Sequence, residues 1–368
     1  MVDFHTQRND VEYIYRRVSF PDLREIEDIK NIKGGSLEWS AFTTLKVSAK
    51  LTFVGSLNIG ASDMVRIYYR FKDASGKQYE KVLATLKMAV PDNEYDDMNT
   101  TGDIECDSVL QILESREYGM PFTVTAGTNA IAKAVQLCES VGLKTNKPKS
   151  DYAIKSDYTF DYDASYLEIV NWLCDSAGYA SLGADSMGGV FFSPYIEPTE
   201  REIAVTFRDD ARSIMYPRVK NEYALVDTPN VVRAFYETDK ESLYACAANN
   251  DATSSASTVT RKYEITKCIK ANELDGKTQK DRIKQLEKLA ADELVNGLSG
   301  FEHVQLSHAW LPLNTSDAVM IAYEAADRVW RGTVTDISMD LEVDAKCDTK
   351  IRHFVKENVK VTIESGAL

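Results

Sequence analysis

Histidine and cysteine side chains are the groups in this sequence best suited to bind a metal ion or to attack a substrate. The six cysteines, which share no C-x-x-C spacing, are Cys106, Cys138, Cys174, Cys246, Cys268 and Cys347. Two of the four histidines, His303 and His308, fall on one strand pattern, while His5 and His353 stand apart. Residues five apart point to opposite faces of a regular strand. Zinc needs a cluster of Cys and His at ligand spacing, so the sequence predicts no metal site.

An acidic stretch after Pro91 reads DNEYDDMNTTGD. Its carboxylates at Asp92, Glu94, Asp96 and Asp97 are spaced like the first ligands of a calcium-binding loop. The stretch lacks a glycine at the sixth position and a bidentate glutamate at the required distance. A solvated acidic loop is therefore the favoured interpretation.

The common catalytic and nucleotide-binding motifs are absent, namely G-x-S-x-G, H-E-x-x-H, G-x-x-x-x-G-K-[ST] and G-x-G-x-x-G. Carboxylate pairs for glycoside hydrolysis are not excluded among 57 Asp and Glu residues, but no pair stands out. Trp39, Trp172, Trp310 and Trp330 lie in apolar patterns, which favours core or interface positions over a sugar-binding platform. The sequence thus predicts a protein that is not an enzyme, with no catalytic residue and no cofactor.

The chain is acidic, with a net charge of −14 at pH 7. An acidic surface repels phosphates, so sequence-specific nucleic-acid binding is not expected. The charge favours solubility, and it also suits a surface that DNA slides past without sticking. No run approaches the ~18 apolar residues of a membrane span, and the N-terminus has no apolar signal segment. We therefore expect no membrane insertion, and free thiols indicate a reducing place of folding.

One strand is written twice, as SDMVRIYY from Ser62 and as SDAVMIAY from Ser316. Each copy leads through a turn into a second strand. Chance is the alternative to duplication, because Asp begins many strands and Val and Ile fill them. The residues that match, taken as candidates for the wall of a β-barrel and for assembly, are Ser62, Asp63, Val65, Ile67, Ser316, Asp317, Val319 and Ile321.

The pattern of elements predicts an α+β chain in four parts. Residues 1–35 read as a charged N-terminal arm, and 36–120 read as a first small β-barrel with short strands and turns. Residues 121–215 carry two similar helical patterns that end at glycines and then a Gly-rich hairpin, which indicates an α/β insert. Residues 216–368 read as a second β-barrel domain that includes a long amphipathic helix at 277–297.

A polar loop at 252–260, rich in Ser and Thr, has no evident apolar anchor. We expect this loop to order only on meeting a partner.

The order of these elements resembles the central baseplate hub, or tail-tip hub, of long-tailed bacteriophages and phage-tail-like particles. The resemblance covers roughly residues 30–350, and its specificity lies in the order of degenerate motifs. The segments that carry it are GGSLEWSAFTTLKVSAKLTF, SDMVRIYY, CDSVLQILESREY, GTNAIAKAVQLCESVGL, TFDYDASYLEIVNWLCDSAGYASLGADSMGGVFFSPYIEP, DTPNVVRAFYE and SDAVMIAY.

The resemblance implies two small tube-type β-barrel domains and a homotrimeric structural virion protein. Three chains with two similar barrels each would form a pseudo-six-fold ring, which joins a six-fold tail tube to a three-fold spike around a central channel. The implied partners are the tail tube protein, a spike or tip protein and a tape-measure protein. The implied location is the tail baseplate, assembled in the cytoplasm of the bacterial host.

Two other functions stay open at this point. A tail-associated cell-wall hydrolase would need a cleft with paired carboxylates of perturbed pKa. A receptor- or carbohydrate-binding tail protein would need exposed aromatic residues gathered at one tip.

Overall fold

The computed structural model describes most of the chain. The described residues are 9–57, 59–60, 62–73, 75–89, 92–96, 99–210, 214–223, 228–238, 241–298, 302–344, 346–353 and 359–367. Strands dominate, with a few helices, so the α+β prediction is confirmed. None of the helices in these ranges has the length and apolar character that a membrane crossing requires.

The N-terminal part of the chain forms one side of a large antiparallel sheet. Its strands are β1 (Asn9–Ser19), β2 (Arg24–Asp28), β3 (Ile32–Ser40), β4 (Val47–Val54), β5 (Asp63–Lys72), β6 (Gln78–Met88), β7 (Asp92–Asp96) and β8 (Asn99–Asp107). Strand β1 pairs with β5 along most of its length and with β2 on its other edge. Residues 9–28 are therefore part of the sheet, not the arm expected from their charge. Residues 1–8 lie outside the described residues.

The insert follows β8 and has its own core. Its elements are α1 (Gln111–Glu114), β9 (Phe122–Val124), α2 (Ala130–Ser140), β10 (Tyr158–Phe160), α3 (Tyr166–Ser176), β11 (Gly183–Ala184) and β12 (Val190–Phe191). Helices α2 and α3 end alike, because Gly142 and Gly178 adopt φ of 86° and 72° just beyond them. In each case, the amide of the residue that follows the glycine donates back to the carbonyl of Cys138 or Cys174, as in a Schellman motif. The two glycine stops predicted from the sequence are confirmed.

The C-terminal side of the large sheet is formed by β13 (Ile203–Arg208), β14 (Met215–Tyr223), β18 (Glu302–Ala309), β19 (Ala318–Tyr323), β20 (Arg328–Asp340) and β21 (Lys346–His353). The two sides of the sheet have the same strand order. We call β1, β3, β4, β5, β6 and β8 the first sheet unit, and the six strands above the second sheet unit. Ranked along the chain, the strands of both units lie side by side in the order 2-3-6-5-4-1.

Two features limit the likeness of the units. Strand β1 is antiparallel to β5, whereas its counterpart β13 is parallel to β19. Pairings among the described residues close neither unit into a barrel, so the two predicted barrels are seen as two sheets of equal strand order. The units are joined through β3 and β20, and buried residues of both form one hydrophobic core.

A separate four-stranded unit is formed by the segment between β14 and β18 together with a strand that follows β21. It consists of β15 (Val231–Thr238), β16 (Glu241–Asn249), β17 (Thr266–Lys270), β22 (Val361–Ala367), the short helix α4 (Thr258–Arg261) and the long helix α5 (Gln279–Leu298). The predicted amphipathic helix is confirmed, and its buried stripe is Leu286, Ala290, Leu294 and Leu298. It packs on this small sheet and not on the large one, where the prediction had placed it.

The polar loop at 252–260 is held by its own side chains. Ala256 is fully buried in the core of the four-stranded unit, so the loop has the apolar anchor that its composition hides. Ser254 accepts a hydrogen bond from the Asn249 side chain (3.1 Å), and Ser257 caps α4 through the Thr260 amide. The expectation that this loop orders only on a partner is therefore wrong.

Candidate assembly surfaces

The duplicated strands bring their matching apolar residues into a single core. Val65 and Ile67 on β5 are fully buried, as are Val319 and Ile321 on β19, and all four belong to the core that both sheet units share. Their side chains thus face the interior of the chain itself. These four side chains cannot contact a neighbouring subunit directly. Any role that they have in assembly is therefore through the shape of the sheet.

The turns that begin the two strands are built alike. The Asp63 carboxylate accepts a hydrogen bond from the Gly60 amide (2.6 Å), and the Asp63 amide donates to the Gly60 carbonyl (3.0 Å). Asp317 makes the same two bonds with Asn314, at 2.8 and 3.2 Å. The identity of the turn in both copies favours duplication over chance.

The two turns differ in their surroundings. Asp63 is buried and forms an ion pair with Arg17 on β1 (2.6 Å). Asp317 is half-buried, and its burial raises the pKa of its carboxyl group. Ser62 and Ser316, the residues just before, are both exposed.

An ion-pair lattice covers the outer face of the first sheet unit. Arg66 is 3% exposed and uses its whole guanidinium. It donates to Thr85 Oγ1 (2.9 Å), to Glu25 Oε1 (3.0 Å) and to the Met187 carbonyl (2.9 Å). Burial acts to raise the pKa of Glu25, but hydrogen bonds from Tyr68, Arg66 and Arg16 outweigh burial and hold that pKa below its ordinary value. A buried arginine with every branch bound fixes the elements it joins.

The insert is anchored on this outer face. Besides the Arg66 bond, Thr85 Oγ1 donates to the Ser186 carbonyl (2.8 Å), and Lys144 Nζ donates to the Asp22 carbonyl (2.8 Å). Val18 and Met64 of the sheet also pack into the insert's core. Met64, Arg66, Tyr68 and Arg70 alternate along β5, and this alternation is the sequence signal that could have revealed the second face of the strand, which meets the insert.

Free edges of the large sheet are a further surface that sequence reasoning missed. Strand β14 pairs with β18 and strand β7 pairs with β8, and no second strand pairs with either among the described residues. The exposed side chains of β14 include Tyr216, Arg218 and Lys220. Strand β7 has the sequence DNEYD; its side chains and Asp97 lie outside the described residues. The calcium-loop question stays open, but the backbone at 92–96 is a strand and not a loop.

The histidine and cysteine side chains described in this paragraph occupy structural positions. His308 is buried and bonds Thr349 Oγ1 (2.8 Å), while His303 lies on the opposite face of β18, as predicted. No disulfide joins the six cysteines, and burial raises the pKa of Cys106, Cys138 and Cys174 to about 12. Within the described ranges, no group of three or more His, Cys, Asp or Glu is arranged to hold a metal ion.

One open depression of about 590 Å³ lies beside β1. Its lining includes the carboxylates of Glu12, Glu342 and Asp344 together with Tyr13 and Tyr15. Burial raises the pKa of both tyrosines, so neither phenol is poised to act as a base near neutral pH.

Solved structures of other proteins superpose on nearly the whole length of this chain. A tail protein from Neisseria meningitidis MC58 superposes with a TM-score of 0.65 at 9% identity, over 93% of this chain and 96% of that chain. The 43 kDa tail protein of prophage MuSo2 from Shewanella oneidensis gives 0.64 at 10% identity, over 92% and 98%.

The chain has the fold of phage tail proteins.

A chain of the Francisella PdpA-VgrG complex is also similar, with a TM-score of 0.55 at 9% identity, over 96% of this chain and 60% of that chain. No family model matches the sequence, and no curated protein sequence matches it. The resemblance drawn from the order of sequence motifs is therefore confirmed by tertiary structure, at identities where sequence alone carries little.

Proposed function

We propose that this chain is a structural protein of a phage tail or a phage-tail-like particle, and that it forms the trimeric hub of the baseplate. The observation that carries the proposal is the duplicated sheet unit, with equal strand order and equal turns at Asp63 and Asp317. Three copies of a chain with two such units give six units around one axis, each unit behaving as a tube-type barrel in the assembled ring.

Such a ring joins six-fold and three-fold partners. On one side it meets the tail tube protein, and on the other a spike or tip protein, with the tape-measure protein in the channel. The net charge of −14 fits a channel wall that DNA passes without binding. The insert, which packs on the outer face of the first sheet unit, lies away from the channel in this arrangement. The proposed hub acts in the tail baseplate, which is assembled in the host cytoplasm.

A non-enzymatic role fits the same observations. In the depression beside β1, burial raises the pKa of Tyr13 and Tyr15, so neither phenol is poised to act as a base there. Exposed aromatic residues occur in the insert, as Tyr162, Phe191 and Tyr195, and in three other regions of the chain, as Phe42, Tyr216 and Tyr263. A receptor-binding tip would gather them in one region, so the hub is favoured over both alternatives.

Negative-stain electron microscopy of the purified chain, alone and mixed with tube and spike proteins, tests the proposal. The expected image is a three-fold particle with six inner lobes around an open hole. A chain that stays monomeric even with both partners, or that clears bacterial cell wall in a zymogram, contradicts the hub and favours the hydrolase.

A further inference from the structure

The junction between the two sheet units inside the chain is a strand pairing. Residues Ser36–Ser40 of β3 pair antiparallel with Asp336–Asp340 of β20, and the Ser40 hydroxyl donates to Asp336 Oδ1 (2.7 Å). In the common strand order, β3 is the second strand of its unit and β20 is the fifth of its unit. One junction of this kind therefore links second strand to fifth strand.

The equivalent strands for a second junction are β14 and the β6–β7 pair. Strand β14 is the second strand of its unit. Strands β6 and β7 together take the place of β20, because β8 pairs first with the end of β6 and then with β7 along the same edge. No other strand pairs with β7 or with the second edge of β14 within the ranges that the structure describes.

We propose that β14 of one copy pairs antiparallel with β7 of the next copy, repeating between chains the β3–β20 junction made within each chain. The pairing rests on the proposed trimeric function and names the surface that builds it. Three internal and three intermolecular junctions alternate around the ring, and the sheet closes without a free edge at these positions.

The details of β3 and β14 fit this equivalence. Each has an irregularity near its start, between Ile32 and Gly34 in β3 and between Met215 and Val219 in β14, and regular pairing toward its end. Only the end of β3 pairs with β20. The counterpart in β14 is the segment 220–223, which lies beyond Pro217, a residue that cannot donate to a ladder.

The SD turns mark the places of both junctions. The Ser316 amide donates to Val334 of β20 (2.8 Å), and the amide of Ala41, just past β3, donates to the next residue, Thr335 (2.8 Å). The second turn thus abuts the internal junction. The first turn, at Ser62 and Asp63, begins β5, whose Met64 pairs with Lys87 near the end of β6. The common strand order of the units therefore predicts that this turn borders the intermolecular junction.

Charge complementarity supports the same pair of strands. Strand β14 exposes Arg218 and Lys220, of which Lys220 also forms an ion pair with Glu222 on the same strand, and β7 reads DNEYD, with three acidic residues in five. Opposite charges on neighbouring strands stabilise their pairing, and like charges destabilise it. Charged edges of this kind also deter pairing with an unrelated strand.

Sedimentation equilibrium of the full chain tests the junction with Lys220→Glu, Glu94→Lys, the double variant and a control. Each single variant sets like charges against each other and is expected to raise the concentration for trimer formation about tenfold per junction. The double variant restores assembly, because the charges are exchanged. The control is Lys288→Glu, the same charge change at a strongly exposed position of α5, which leaves assembly unaltered.

The outcomes separate the junction from the hub. Trimers that form equally well with Lys220→Glu and Glu94→Lys overturn the junction and leave a trimeric hub that uses another surface. If the wild-type chain alone stays monomeric at concentrations of about 1 mM, the proposed strand pairing between copies is also overturned. The hub proposal itself is tested by a different experiment, the electron microscopy of the chain mixed with tube and spike proteins.

Discussion

The rings of Tyr69 and Trp310 pack 5.1 Å apart between centroids, one from β5 and the other from the segment between β18 and β19. Both are buried in the common core, so this contact ties the first sheet unit to the second. Tyr69 also packs on Tyr13 and Phe71, which makes it the centre of an aromatic cluster. The two sheet units are therefore held together by their common core as well as by the β3–β20 pairing.

Truncation of this contact is expected to destabilise the whole chain. Trp310→Ala should lower the free energy of unfolding by about 3–5 kcal/mol, as for other buried large aromatics. Tyr69→Ala should do the same, and a double-mutant cycle should give about 0.5–1.5 kcal/mol of coupling. Urea denaturation measures all three. The matched control is Phe42→Ala, since Phe42 is 72% exposed; an equal loss there would remove the special role of the cluster.

A charge at Val319 is expected to unfold the chain before it affects assembly. Val319→Asp buries an unpaired carboxylate in the common core, which costs several kcal/mol. Circular dichroism of the dilute monomer should therefore show a large loss of thermal stability. Val329→Asp, on the next strand at 63% exposure, is the control and should leave the melting temperature almost unaltered. A stable Val319→Asp monomer would contradict the placement of this side chain.

Glu25 is expected to make the stability of the first sheet unit depend on acid. Its pKa is lower in the folded chain than in the unfolded one, so its contribution is present above the unfolded pKa and is lost as pH falls through the folded pKa. Glu25→Gln should flatten the fall in urea midpoint between neutral and acidic pH. Glu27→Gln, which removes a more exposed ion pair with Arg17, should keep the wild-type slope.

The six thiols are expected to react in two classes. Cys268 is exposed and should be labelled first by iodoacetamide at neutral pH, followed by the half-buried Cys246. Cys138 and Cys174, with pKa values raised to about 12 by burial, carry almost no thiolate and should stay unlabelled. Mass spectrometry counts the labels, and all six should appear in denaturant. Rapid labelling of Cys138 in the native chain would contradict the packing of α2.

The sequence alone predicted those elements whose apolar pattern lies within a short run of neighbouring residues. The repeated strand pattern gave Val65 and Ile67 as candidates for a barrel wall, and the apolar stripe gave α5. Strand β1 escaped detection because Glu12 and Arg16 interrupt its pattern, and only the partners Arg70, Glu25 and Asp28 across the sheet make those charges compatible with a strand.

Long-range pairing could not be predicted in the same way. The segment NVVRAFYE alternates as any half-buried strand does, and nothing within it says that β15 joins the four-stranded unit and not the large sheet. The common order 2-3-6-5-4-1 likewise depends on contacts between distant segments. The edges β7 and β14 were missed because an open edge is defined by the whole sheet and leaves no mark in its own residues.

The Ser40–Asp336 contact joins residues 296 positions apart in the chain. During synthesis from the N-terminus, β3 therefore pairs with β4 long before β20 has left the ribosome, and its other edge stays uncovered for most of translation. Pairing over such a separation is slow, and an uncovered edge invites aggregation. Only a chain that has been translated through β20 covers that edge, so a truncated chain keeps an exposed strand edge that a complete chain buries.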